Sequence, residues 1–112
     1  MDEEKIAIGI HRIENKGLYY TMSMVQGRYR VPILYCLSLN GPMRYNELKR
    51  MIDPVTFRSL ALTLKSLEDD GLIIRKDYNQ KPPRVEYYLS EKGESMVPLL
   101  NNFVEWGEDN IG

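Results

Sequence analysis

The spacing of apolar positions changes several times along the 112 residues, and each change marks an element. Ile6, Ile8 and Ile10 alternate strictly, which predicts a short strand or extended arm over residues 5–16, interrupted by Gly9. Asn15-Lys16-Gly17 breaks that segment, Leu18–Gln26 supports a first short helix, and Gly27 stops it. Tyr29–Leu39 is apolar on both sides, with Val31, Leu34, Tyr35 and Ser38 on one face and Ile33, Leu37 and Leu39 on the other, so this helix is central. Pro32 falls in its first turn, where the missing donor is not needed.

Asn40-Gly41-Pro42 ends that helix, and Met43-Arg44-Tyr45 fits a very short strand able to pair with a later hairpin. Asn46 is placed to cap a helix over Glu47–Met51, and Ile52-Asp53-Pro54-Val55 turns the chain. Thr56 caps a second helix, Phe57–Asp70, whose Leu60, Leu64 and Leu67 recur at four- and three-residue spacing and therefore face the core. After Gly71, the runs Leu72–Lys76 and Val85–Leu89 flank a polar tip, Asn79-Gln80-Lys81-Pro82-Pro83, which the prolines keep out of any ladder. Glu91–Trp106 is the last helix, and Pro98 inside it should kink or divide it.

Two short helices in tandem followed by a basic hairpin read as a winged helix-turn-helix, a DNA-binding arrangement. The expected class is α+β, mostly helical, with a two- to three-stranded antiparallel wing and terminal dimerisation helices. It forms one domain over residues 1–112: an arm at 1–17, a winged-helix core at 18–90 and a C-terminal dimerisation helix at 91–112.

Specific residues carry a family resemblance. They are Gly27-Arg28-Tyr29-Arg30, Asn40-Gly41-Pro42-Met43-Arg44-Tyr45-Asn46-Glu47-Leu48, Leu60, Leu64, Leu67, Glu68 and Asp70-Gly71-Leu72. They continue with Tyr78, Pro82-Pro83-Arg84-Val85-Glu86-Tyr87, Leu89-Ser90 and Trp106-Gly107-Glu108. In this order the chain resembles the HxlR family of bacterial winged-helix transcription regulators, within the wider MarR-like group. The resemblance implies a homodimer built from terminal helices that binds double-stranded DNA. Family members often carry Gln and Arg where this chain has Leu62 and Thr63.

Net charge is −1, yet residues 28–84 hold 11 Lys+Arg against 6 Asp+Glu, or +5, while the remainder holds 4 against 10, or −6. DNA responds to the local field of a face, so the asymmetry outweighs the total; a merely solvated surface is the alternative. No apolar run approaches the ~20 residues of a membrane span, and the acidic start is unlike a signal peptide, which leaves the cytoplasm as the default. One cysteine excludes an internal disulfide and a multi-thiolate metal site.

With Leu60, Leu64 and Leu67 inward, the second helix turns Arg58, Ser59, Leu62, Lys65 and Ser66 outward, with Thr63 at the flank. Arg58 is the best candidate for a base edge, Lys65 suits phosphate, and Leu62 can touch a thymine methyl but cannot make a bidentate hydrogen bond. In the wing, Lys76, Lys81 and Arg84 are candidates for phosphate or the minor groove, and Arg84 could equally pair with an acid and brace the hairpin. Arg28 and Arg30 precede a helix and could reach the DNA backbone, Arg28 the better placed. Tyr19, Tyr20 and Met22 near one end and Met96, Leu99, Leu100, Phe103 and Trp106 near the other exceed what a small core needs, and form the candidate dimer interface.

Cys36 sits in an apolar helical stretch and reads as a structural thiol, although some members of the resembled family sense oxidants through a cysteine. A small-molecule or redox effector is left open as a partner. His11 stands alone and defines no metal site, no cofactor is implied, and there is no phosphate loop or nucleophile–base pair to suggest an enzyme. The rival to a dimeric repressor that occludes promoter DNA is a winged-helix protein-interaction module without DNA binding.

Overall fold

In the structure, a computed structural model, residues 14–112 are described. The alternating Ile6, Ile8 and Ile10 and the lone His11 lie outside them. The element order is α1 Lys16–Val25, α2 Arg30–Asn40, α3 Tyr45–Met51, α4 Phe57–Asp69, β1 Ile73–Asp77, β2 Val85–Leu89, α5 Glu91–Ser95 and α6 Val97–Asn110. Helices dominate, and the sheet is a single antiparallel pair in which Ile73 faces Leu89 and Asp77 faces Val85.

The core forms where the helical stripes converge. Ile33, Leu34 and Leu37 of α2, Leu48 of α3, and Leu60, Leu64 and Leu67 of α4 are all buried, joined by Val55, Leu72, Ile73 and Leu100. Leu39 departs from expectation: it is 65% exposed, because Ile33, Leu34 and Leu37 already fill the side of α2 that meets the other helices. Pro32 occupies the first turn of α2, and the first helical bond there runs from Ile33 N–H to Tyr29 O.

Helix ends follow local chemistry. Thr56 caps α4 as expected, its hydroxyl accepting from Ser59 N–H at 3.0 Å. Asn46 does not cap α3; the helix starts two residues earlier, at Tyr45, and Glu47 reaches back to accept the Arg44 N–H at 2.8 Å. That one-sided carboxylate contact fixes Arg44, not Asn46, as the boundary. At the end of α4, Gly71 takes φ +76°, Leu72 N–H bonds Leu67 O and Gly71 N–H bonds Glu68 O. This is a Schellman closure, with Leu67 and Leu72 both buried beside it.

Pro98 does divide the C-terminal helix, since α5 ends at Ser95 and α6 restarts at Val97, with proline in its first turn. The helix then continues past Trp106 to Asn110. The Met43 strand shrinks to one bridge, exchanging N–H···O bonds with Tyr87 at 2.9 and 2.8 Å, because Tyr45 already begins α3. At the foot of the hairpin, Ser90 donates to Gly71 O and accepts from Gly93 N–H. A Cβ on Gly93 would lie 2.1 Å from Leu72 O, so the backbones meet there only because that residue has no side chain.

Candidate nucleic-acid interface

Helix α4 is the centre of the candidate surface. Its core stripe is sealed by Leu60, Leu64 and Leu67, which leaves Arg58, Ala61, Leu62 and Lys65 exposed on the opposite side. Arg58 has no ion-pair or hydrogen-bond partner among the described residues. Leu62 is 59% exposed. Tyr45 steadies the first turn: its hydroxyl donates to Phe57 O at 2.6 Å, and the two rings stack with centroids 6.0 Å apart.

Three further polar groups of α4, on Thr63, Lys65 and Ser66, are engaged within the chain. The Thr63 hydroxyl donates to Ser59 O at 2.7 Å, and Lys65 Nζ lies 3.0 Å from Asp69 and 3.8 Å from Glu68. That ion pairing raises the Lys65 pKa. Ser66 Oγ accepts from Arg30 Nη1 at 2.7 Å.

Arg30 is the main departure from the sequence reading, which set it towards the DNA backbone. It is buried, and its guanidinium spends its donors inside the protein: Nε on Met24 O at 2.9 Å, Nη1 on Ser66 and Nη2 on Asp70 Oδ2 at 2.6 Å. One side chain thus joins the end of α1, the start of α2 and the last turns of α4. Its position three and four residues before Ile33 and Leu34, on the buried stripe of α2, was a readable signal. Arg28 stays exposed, its guanidinium 5.4 Å from the centre of the Tyr29 ring. With Tyr29, Leu62, Thr63 and Ser66 it borders a depression of about 210 Å³ beside α4.

The wing sorts its cations in the same way. Arg84 Nη2 meets Glu86 Oε2 at 3.2 Å and the guanidinium lies 4.1 Å from the centre of the Tyr78 ring. The Tyr78 hydroxyl completes the cluster by donating to Glu86 Oε1 at 2.8 Å. Those bonds, the tyrosine first, hold the Glu86 carboxyl below its ordinary pKa. The Tyr78 hydroxyl is correspondingly raised, chiefly by its bond to Glu86. Lys76 lies 4.7 Å from the Tyr78 ring centre, and Lys81 is exposed at the tip. Pro83 and Val85 approach Arg44, Asn46 and Arg50 across an open hollow, so the wing stands beside the start of α3.

A two-helix unit with a sealed core stripe and an adjoining basic hairpin is shared by known proteins. The profile of HxlR-like helix-turn-helix proteins matches residues 24–112. The chain belongs to the HxlR family. An HTH-type transcriptional regulator of Halalkalibacterium halodurans is 41% identical over 101 residues, spanning 90% of this chain and 89% of its own. YkvN of Bacillus subtilis, another HTH-type transcriptional regulator, is 45% identical over 91 residues, 81% of this chain and 76% of its own. Among solved structures, the oxidised redox regulator HypR superposes with a TM-score of 0.78 at 36% identity, covering 84% of this chain and 96% of that one. The chain is therefore a DNA-binding transcriptional regulator of the HxlR type, with a two-stranded wing.

The apolar residues at the two ends of this HxlR chain divide into core and surface. Leu100 is only 1% exposed and belongs to the core, and Met96 packs against that core. Leu100 is therefore not available to a second chain, contrary to its assignment from sequence. Tyr19, Tyr20, Met22, Phe103 and Trp106 remain exposed, Trp106 at 71%. Leu99 is half-buried and shares a groove of about 210 Å³ with Tyr20, Met24 and Met96, between α1 and the start of α6.

Cys36 is buried, its thiol set 3.4 Å from Met43 Sδ, with the Asn40 amide 3.6 Å from the sulfur. Burial pushes its pKa up, against the weaker opposing effect of Asn40. Among the described residues no helix is long and apolar enough to cross a membrane, and no cluster of His, Cys, Asp and Glu could hold a metal ion.

Proposed function

We propose that the protein is a homodimeric cytoplasmic repressor that occludes promoter DNA, each protomer laying α4 in a major groove with the wing on the flanking backbone or minor groove. The observation that carries this reading is the outward face of α4, where an unpaired Arg58 and an exposed Leu62 project from a rigidly sealed helix beside Arg28. Arg58, Ser59 and Leu62 are the contacts to bases. Arg28, Lys76 and Lys81 contact phosphates or the minor groove. Thr63, Lys65, Ser66 and Arg84, with their polar groups engaged internally, position the reading surfaces.

The exposed aromatic and apolar side chains of α1 and α6 supply the two-fold interface: Tyr19, Tyr20 and Met22 on one, Phe103 and Trp106 on the other. Phe103→Asp should then give folded monomers that bind DNA far more weakly, because two half-sites about 34 Å apart lose their linkage. A monomeric native protein at micromolar concentration would contradict this.

For DNA binding itself, the measurement is a gel shift on the protein's own upstream DNA over a salt series. About 6–8 phosphate contacts per dimer predict a log–log slope near −5 to −7. A flat response would count against the interface. An effector, if redox-active, acts elsewhere than on Cys36, whose buried thiol is disfavoured as thiolate. Cys36→Ser should leave the response to mild oxidant unchanged.

A further inference from the structure

The middle of the reading face is apolar. Thr63, Lys65 and Ser66 direct their polar groups to Ser59, Asp69 and Arg30. What projects between Arg58 and Lys65 is Ala61 and Leu62, neither of which can donate or accept a hydrogen bond, and both are exposed. Ala61 keeps the helix surface low there, so a base edge can come close enough to touch Leu62. Leu62 against the amino or carbonyl edge of guanine, cytosine or adenine would strip those groups of water without replacing the bonds. The major-groove edge of the four bases carries one apolar group, the C5-methyl of thymine.

We infer that Leu62, brought into contact by the small Ala61, reads a thymine methyl, and that Arg58 reads a neighbouring guanine. Each half-site then carries thymine where it faces the middle of α4. The inference rests on the major-groove docking proposed above.

The test uses duplexes that the full-length protein itself enriches from a random-sequence pool. Each thymine is replaced in turn by deoxyuridine, which removes the methyl and leaves the pairing and the O4 acceptor intact. At one thymine per half-site the affinity should fall roughly three- to fivefold, the worth of one buried methyl. Leu62→Gln, a change at an exposed helical position, should bind the duplexes selected by the native protein without that penalty, and should itself select adenine there.

Unchanged affinity with deoxyuridine at every thymine, or an undiminished penalty in the Leu62→Gln variant, would overturn the inference while leaving DNA binding in place. Failure to enrich any duplex would overturn the docking, and this inference with it.

Discussion

The two halves of α4 are built on opposite plans. From Phe57 to Leu62 the side chains that leave the core are unpaired or apolar, and the first turn is braced through its backbone carbonyl by Tyr45. From Thr63 to Asp69 they are tied down, by Arg30 through Ser66 and by Lys65 through Asp69. Asp70, just beyond, takes the second arm of Arg30. The front half is free to meet a partner, and the back half fixes the angle at which it does so. The acidic Glu68-Asp69-Asp70 run agrees with this division, since carboxylates so close together would repel phosphate.

The strongest way to break that contrast is to release the back half. Arg30→Met removes three internal hydrogen bonds and leaves the Met24 carbonyl and Ser66 without a donor. Because Asp70 is partly open to water, the cost should sit below that of a fully buried pair, at about 2–4 kcal/mol. Thermal unfolding should shift down by on the order of 10 °C. Arg30→Lys should recover only part of this, since an ammonium lacks the planar fork that reaches all three groups. A variant as stable as the native protein would show that the clamp is incidental.

Next in size is the front half. Arg58→Ala should reduce discrimination between the preferred duplex and random DNA by roughly 1–3 kcal/mol with stability unchanged. Equal weakening on both would make Arg58 a phosphate contact instead. The contrast predicts a much smaller effect for Lys65→Ala, an exposed lysine already paired on its own helix. Its removal should barely change stability and leave the salt slope nearly as it was. A slope reduced by about one per site would extend the reading surface into the back half.

How much of this was legible in the sequence follows from what period and punctuation encode. Leu60, Leu64 and Leu67 repeat at helical spacing, Thr56 and Gly71 bracket their helix, and Pro98 divides the next. Such local rules placed the elements within a residue or two, apart from the end of the last helix, which runs on to Asn110. The destinations of long polar side chains were not legible, because they depend on partners 36 and 40 residues away, as for Arg30 with Ser66 and Asp70. Leu100 was misplaced for a related reason. Its helical pattern marks an apolar face without saying whether the same chain or another covers it. Arg84 stood undecided between acid and phosphate, and only the folded hairpin sets it on Glu86 and Tyr78.

The wing offers the smallest and most specific test, because it repeats the division of α4 on a shorter scale. Arg84 is anchored and Lys81 is free. The anchor depends on the charge of Glu86, which accepts from both Tyr78 and Arg84. Its folded pKa lies below the usual value near 4.5. A carboxyl so shifted stabilises the folded wing fully above that usual value, and the contribution disappears as pH falls through the folded value. Acid should therefore loosen the hairpin tip before the core. The protection of the Tyr78 amide, which bonds Arg84 O at 2.9 Å, should fall on acidification once the slower intrinsic exchange is allowed for. In Glu86→Gln, a neutral acceptor replaces the carboxylate, so the acid-dependent component should vanish while exchange at neutral pH rises slightly. If the variant keeps the native acid dependence, the braced arginine does not hold the tip, and Arg84 becomes available to DNA alongside Lys81.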